Sequence, residues 1–320
     1  MEELLTENNT EIHQLKPEPK KKKHSKIEKR NAIFAYCMVA VGFIHFCIFY
    51  IYLNFNSILL AFQVQRADGS QVFSWYYFQR LFNELSQPDT QVFRAFVNTI
   101  KYFVLGVVKM FITFLVSYFI YKKIPLYKAY RIIFFLPSII PSIVMVTVFK
   151  NFVSPYGPLW TVLYDVFGYD MPSLLTQPET ATPTIMFYVF WAGFGVQMLI
   201  FVGALNRIPE EVIDSAKLDG CSWWKEFTRI VLPLAWETLL IYLTLSIGGI
   251  FMATGPILYF TGGNEYTNTM TLEFWIYIQV QSRGTYNYPA AIGLFFTVLA
   301  IPIVALSRWL LRKLNNNVTY

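Results

Sequence analysis

Six stretches of the chain are apolar over roughly twenty residues or more and carry few charges: about 31–52, 96–121, 131–152, 183–205, 234–254 and 288–311. A helix rises about 1.5 Å per residue, so each stretch is long enough to cross a hydrocarbon core of about 30 Å. The pattern predicts an all-α, polytopic membrane protein with six transmembrane helices. An even number of spans puts both termini on one side.

Basic residues choose the side. Lys and Arg number eight in the N-terminal tail, four in 121–131, four in 206–229 and three from Arg308 onward. The alternate connections hold only Arg66, Arg80, Arg94 and Arg283. Because cytoplasmic loops retain Lys and Arg, both termini and the 206–233 connection are expected in the cytoplasm. Composition agrees with a membrane protein: 55% of the 320 residues are hydrophobic and 14% charged, far from a soluble domain. The net charge of +6 is concentrated in "KKKKHSKIEKR", Lys20 to Arg30, beside the first apolar run. It reads as a lipid-facing juxtamembrane anchor, not as a nucleic-acid surface or import signal. Residues 1–30 lack the apolar content for a core and are expected to be a disordered basic tail, leaving 31–320 as the permeation domain. The first apolar run exceeds a signal-peptide core and no small-x-small site closes it, so it is expected to stay as an anchor.

Catalytic chemistry is poorly represented. Cys37, Cys47 and Cys221 form no CxxC, and His13, His24 and His45 stand singly. No GxxxxGK[ST] occurs, so any nucleotide energy must be bound by another chain. An intramembrane transferase needs acids, bases or a metal converging at the membrane, and an ion-coupled carrier needs acids deep in its helices. Near the span centres only Lys109 is found, and an intramembrane charge is suspected of function by default. A structural role, facing water or a partner, is expected for it. No internal repeat is evident, which also disfavours a self-sufficient carrier. In the third span, Pro137 and Pro141 lie four apart and predict a bend. "VFSWYYFQRLF", Val72 to Phe82, is expected to lie along the membrane surface.

The 206–233 connection is the most structured polar piece. Pro209 suits a first helical turn, and Glu210 and Glu211 sit near the positive end of a helix dipole. A short helix should run to Leu218, end at Gly220 in the left-handed conformation, and give way to a second helix capped by Ser222. Trp223, Phe227 and Ile230 then share an apolar face, and Lys225, Glu226 and Arg229 a polar one.

These residues resemble the EAA loop of binding-protein-dependent ABC importer permeases, a Glu-Ala-Ala triplet followed by glycine four residues after the last alanine and then Ile-x-Leu-Pro. Here the triplet is Asp214-Ser215-Ala216, the glycine Gly220, and the ending Ile230-Val231-Leu232-Pro233. "NTIKYFVLG" from Asn98, "FFLPSIIPS" from Phe134, "GALNRIP" from Gly203, and "TGGN" followed by "TMTLEFWIY" resemble the carbohydrate, maltose-type branch, with Asn264 where that branch usually has proline. The resemblance implies a type I importer permease (MetI-like) fold in a bacterial cytoplasmic membrane, with no cofactor on this chain. Asp214, Ser215, Ala216, Leu218, Asp219 and Gly220 would couple to two cytoplasmic ATPase subunits, which hold the ATP and Mg. A second, non-identical permease subunit, an extracellular substrate-binding protein and a carbohydrate substrate complete the set. The family's sugar site lies near the midplane, which implicates Trp191, Gly193, Phe194 and Gln197 in the fourth span and Ser246, Gly249 and Thr254 in the fifth. The glycines equally suit close helix packing.

Overall fold

The computed structural model describes residues 26–66, 70–252, 256–262 and 269–315. Most of the expected tail, with Thr254 and Asn264, lies outside them. Two compact units divide between Ser57 and Ile58. The first holds α1 (Lys26–Phe46), which begins inside the stretch expected to be tail, and a π-helical turn, Cys47–Tyr52. Its apolar side chains point outward, Tyr36 and Val41 being 75% and 72% exposed. A helix apolar all round and uncovered is suited to lipid or another chain.

After α2 (Leu53–Phe62), which runs across that boundary, come two short strands, β1 (Gln63–Gln65) and β2 (Gln71–Phe73), paired antiparallel with Val64 opposite Val72. An all-α reading missed them because three-residue strands are too short to display an alternating pattern. In α3 (Tyr76–Leu85), Phe78 and Leu81 turn inward while Tyr76 and Phe82 stay exposed. The remaining helices are α4 (Gln91–Tyr121), α5 (Tyr127–Ile139), α6 (Ser142–Phe152), α7 (Pro158–Phe167), α8 (Pro178–Ala192), α9 (Phe194–Leu205), α10 (Glu210–Leu218) and α11 (Trp223–Glu226). A second π turn, Phe227–Val231, leads to α12 (Leu232–Leu234), then α13 (Trp236–Gly248), α14 (Ile257–Thr261), α15 (Leu272–Gln281) and α16 (Asn287–Asn315).

Four segments are long and apolar enough to cross a membrane alone: Lys29–Phe62, Gln91–Tyr121, Pro178–Leu205 and Asn287–Lys313. Two more arise if each bent pair counts as one span: α5 with α6, turning by 106°, and Trp223–Leu234 with α13, turning by 69°. The expected third span is therefore sharply broken. Pro137 stays inside α5, and the break falls at Ile140, which is extended (ψ 136°). The ring of Pro141 excludes its predecessor from the helical region. The second bend follows Pro233 and the π turn, a wider coil lying just where a proline ring would crowd the carbonyl four residues back. Helix α13 then stops at Gly248, short of residue 254.

The long helix α4 is the shared post of the second unit, packing against α3, α5, α8, α9, α13 and α15. Facing α9 it presents Thr113 and Ser117, both fully buried, and Ser117 Oγ lies 3.3 Å from the Met198 carbonyl. Small side chains let membrane helices approach closely and hydrogen-bond across the seam. Toward its start, Asn98 Nδ2 donates to the Met270 carbonyl at 3.0 Å and Thr99 Oγ1 accepts from Leu272 N at 2.9 Å, which docks the beginning of α15. Also on α9, a Cβ on Gly195 would lie 2.9 Å from both the Phe134 carbonyl oxygen and Phe135 Cα of α5. Backbone cannot move aside as a side chain can. Gly195→Val should cost about 1–3 kcal/mol through overpacking, read as a lower unfolding temperature of the purified protein in detergent; an unchanged temperature would show that the α5–α9 seam is loose.

Candidate functional site

The 206–233 connection folds largely as its sequence predicts. Pro209 precedes α10, and Glu210 and Glu211 occupy its first turn. The helix ends in a Schellman arrangement: Gly220 N donates to the Lys217 carbonyl and Cys221 N to the Ala216 carbonyl, both at 3.0 Å. Gly220 has φ +70°, the left-handed region that side chains resist. Ile213 and Ala216 turn inward, whereas Asp214, Ser215, Leu218, Asp219 and Gly220 are exposed. Leu218 is 89% exposed, an apolar side chain at the tip of a polar loop. Lys217 Nζ donates to Asp214 at 2.8 Å on the surface. That hydrogen bond holds the Asp214 carboxyl below its ordinary range and raises Lys217. Ser222 stands at the N-cap of α11, but its side chain makes no capping bond.

What anchors this loop was not expected. Glu226 is not on an outward polar face; it is 3% exposed. Its carboxylate accepts from Lys122 Nζ at 2.8 and 2.9 Å and from Tyr118 OH at 3.1 Å. Tyr118 lies in the last turn of α4 and Lys122 caps its end, so a bidentate ion pair fastens the loop to the central post. The inward face holds Glu226 with Phe227 and Val231, and Trp223, expected to share the apolar face, is left about half exposed. Around the pair, Phe114, Tyr118, Phe201, Ile213, Phe227 and Leu239 form one buried cluster. Trp223 and Trp224 remain about half exposed beside it.

The residues expected along a sugar path are not brought into one cavity. Ser246 and Gly249 line a cavity of about 250 Å³ with Tyr102, Gly106, Val189 and Ile257. Phe194 is instead buried against Phe134, their ring centroids 5.3 Å apart. Trp191 packs beside Phe149 and Tyr188. Gln197 is partly buried on α9. Gly193 is the break between α8 and α9, and its carbonyl accepts from Lys109 Nζ at 3.4 Å. A Cβ at residue 193 would fall on that ammonium. Lys109 thus has a structural partner, a carbonyl at a helix interruption. Among the described residues no group of three His, Cys, Asp or Glu side chains is placed to hold a metal.

The architecture is that of a polytopic helical membrane protein. A solved chain titled as part of a bacterial ABC transporter involved in the import of the acidic polysaccharide alginate shares the fold, with a TM-score of 0.74, 24% identity, and coverage of 89% of this chain and 96% of that one. The chain belongs to the family of binding-protein-dependent transport system inner membrane components, whose profile it matches over residues 109–320. It is 27% identical over 185 residues to a probable ABC transporter permease protein of Pyrococcus horikoshii, a match covering 57% of this chain and 63% of that relative. With the maltose/maltodextrin transport system permease protein MalF of Vibrio vulnificus it shares 32% over 106 residues, 33% of this chain and 20% of that one. The chain thus spans less than two thirds of the length of either relative. It is a permease subunit, not an enzyme.

The ion pair gives a direct prediction. Lys122→Met leaves a buried carboxylate without its cation and should cost about 3 kcal/mol, the low end for a broken buried pair because Lys122 is partly exposed. Lys122→Met with Glu226→Met should be closer to wild type than either single change, read by thermal unfolding in detergent. Additive losses would show that the pair is not coupled.

Proposed function

We propose that this chain is a transmembrane permease subunit of an ATP-driven importer that takes up an oligosaccharide, delivered by an extracellular substrate-binding protein, by alternating access. The observation that carries the reading is the exposed, glycine-ended loop clamped by Glu226 to Lys122 of α4. Such a loop transmits motion because neither its elbow nor its base is free to give. With the 206–233 connection and both termini in the cytoplasm, as the basic residues favour, six spans cross a bacterial cytoplasmic membrane. Asp214, Ser215, Ala216, Leu218, Asp219 and Gly220 then meet an ATPase subunit, whose partner copy meets a second, non-identical permease. ATP and Mg reside on the ATPases. Closure of those subunits pushes the loop, the ion pair passes the displacement to α4, and α4 carries it to the helices packed around it.

The family and the maltodextrin permease among its relatives support a carbohydrate as substrate. Ser246 and Gly249, at the cavity beside α4, are proposed to face the sugar's path. Thr254 is proposed to follow them, and Trp191, Gly193, Phe194 and Gln197 to act by shaping the α8–α9 interruption.

A Cβ on Gly220 would meet nothing within 4 Å, so a substitution there acts through the backbone alone. Forcing a β-branched side chain into the left-handed region costs at least about 1–2 kcal/mol. Gly220→Val is expected to insert normally but to retain less ATPase on co-purification and to lower sugar uptake by vesicles severalfold, with Gly220→Ala intermediate. Normal uptake and normal ATPase retention by Gly220→Val would sink the coupling role.

A further inference from the structure

At the end of α4 remote from Lys122, about 45 Å away along a 31-residue helix, a cavity of about 770 Å³ opens between α3, the start of α4, the end of α15 and the start of α16. Its lining is unlike that of an apolar seam between helices. Aromatic rings from Tyr77, Trp275, Tyr286 and Tyr288 alternate with the amides of Gln91 and Gln279. Among the described residues, one buried polar atom of this lining, Trp275 Nε1, has no hydrogen-bond partner, and its side chain is only 4% exposed. A buried donor left unmade costs about 1–3 kcal/mol, so a ligand oxygen arriving there recovers what the folded chain forgoes.

The walls are already fixed. The Arg80 guanidinium lies 4.0 Å over the Tyr288 ring and its Nε donates to Glu84 at 2.7 Å. At the rim, Asn287 Nδ2 donates to the Leu60 and Gln63 carbonyls at 3.1 and 2.8 Å, and Thr285 Oγ1 to the Gln279 carbonyl at 3.1 Å. A cavity that need not reorganise loses little affinity to ordering. Rings, amides and an unused donor together match a saccharide: its C–H faces lie against aromatic rings while its hydroxyl oxygens accept hydrogen bonds. A lipid tail would leave those polar groups unmet.

We infer that this cavity is a saccharide-binding vestibule, separate from the cavity at Ser246 and Gly249. Trp275 binds a hydroxyl oxygen there, and Tyr77 and Tyr286 supply apolar faces. That the vestibule opens toward incoming sugar rests on the importer reading; its affinity for sugar does not.

The test uses the assembled importer with the full chain, in nanodiscs and without binding protein, labelled with 5-fluorotryptophan. The fluorine resonance of Trp275 is assigned by Trp275→Phe. Maltotetraose and tetragalacturonate, a neutral and an anionic probe, are titrated separately at millimolar concentration. The expected result is a saturable shift of the Trp275 resonance with at least one of them, weakened by about fivefold in Gln279→Leu or Tyr286→Ala through loss of one contact. If Trp275→Phe does not assemble, saturation transfer to the same sugars, compared between the unaltered importer and Tyr286→Ala, reads the same contact. No saturable response to either sugar overturns the inference. So does a Trp275 shift that appears only when the binding protein is added, which would make the cavity a protein-docking pocket. A sugar response without sugar uptake would remove the importer reading and leave the vestibule; uptake with a silent Trp275 would do the reverse.

Discussion

A peptide carbonyl released from its helix inside hydrocarbon has no water to accept from, and leaving it bare costs several kcal/mol. Helices of this chain can therefore be interrupted only where another segment brings a donor. Lys109 supplies one to the Gly193 carbonyl between α8 and α9, and Lys150 Nζ supplies another to the Phe260 carbonyl at the end of α14, at 3.1 Å. Asn98 does the same for Met270 ahead of α15. Two of these three donors lie on α4. Its centrality follows from that supply as much as from its apolar contacts, since α8, α9 and α15 can be irregular only while α4 stays beside them.

The same constraint explains why Lys109 resists a purely functional reading. A lysine in mid-span is costly in lipid, yet here its ammonium meets the Gly193 carbonyl at the junction of α8 and α9. Replacing it with an apolar residue would spare one desolvation and create another. Charge at the centre of a span is here part of the backbone's accounting. No acid is required beside it, and the described residues place no salt-bridge partner on it.

The features that could be read in the sequence are those set locally. Span lengths follow from apolar runs, and the elbow at Gly220 follows from a helix ending where only glycine is comfortable in the left-handed region. The proline pair announced a break in the third span but not its size. Pro137 is absorbed within α5, while Pro141 acts on Ile140 before it, and nothing in the spacing says which of the two governs. The face of Glu226 was the larger loss. An acid goes to the polar face of an amphipathic helix by default, and its burial depends on Tyr118 and Lys122, 108 and 104 residues away in sequence. A glutamate flanked by Trp223, Trp224 and Phe227 was the available signal, since an acid amid aromatic side chains is a candidate for burial with a partner. Trp191 stands on a different helix from Phe194 and Gln197, because Gly193 interrupts the fourth span between them.

The nature of the anchor also matters. A buried ion pair contributes little net stability compared with a well-packed apolar contact of the same volume, because both charges must be desolvated. What it adds is direction. Apolar surfaces in the cluster around Phe114 and Phe227 could slide by a fraction of a turn and lose little, whereas a lysine with both of its short contacts on one carboxylate tolerates hardly any displacement. In the coupling role proposed for the loop whose tip exposes Leu218, sliding is the motion that would waste a push. An ion pair there trades stability for a fixed register between α11 and α4, and its desolvation cost is borne where lost registration would matter most.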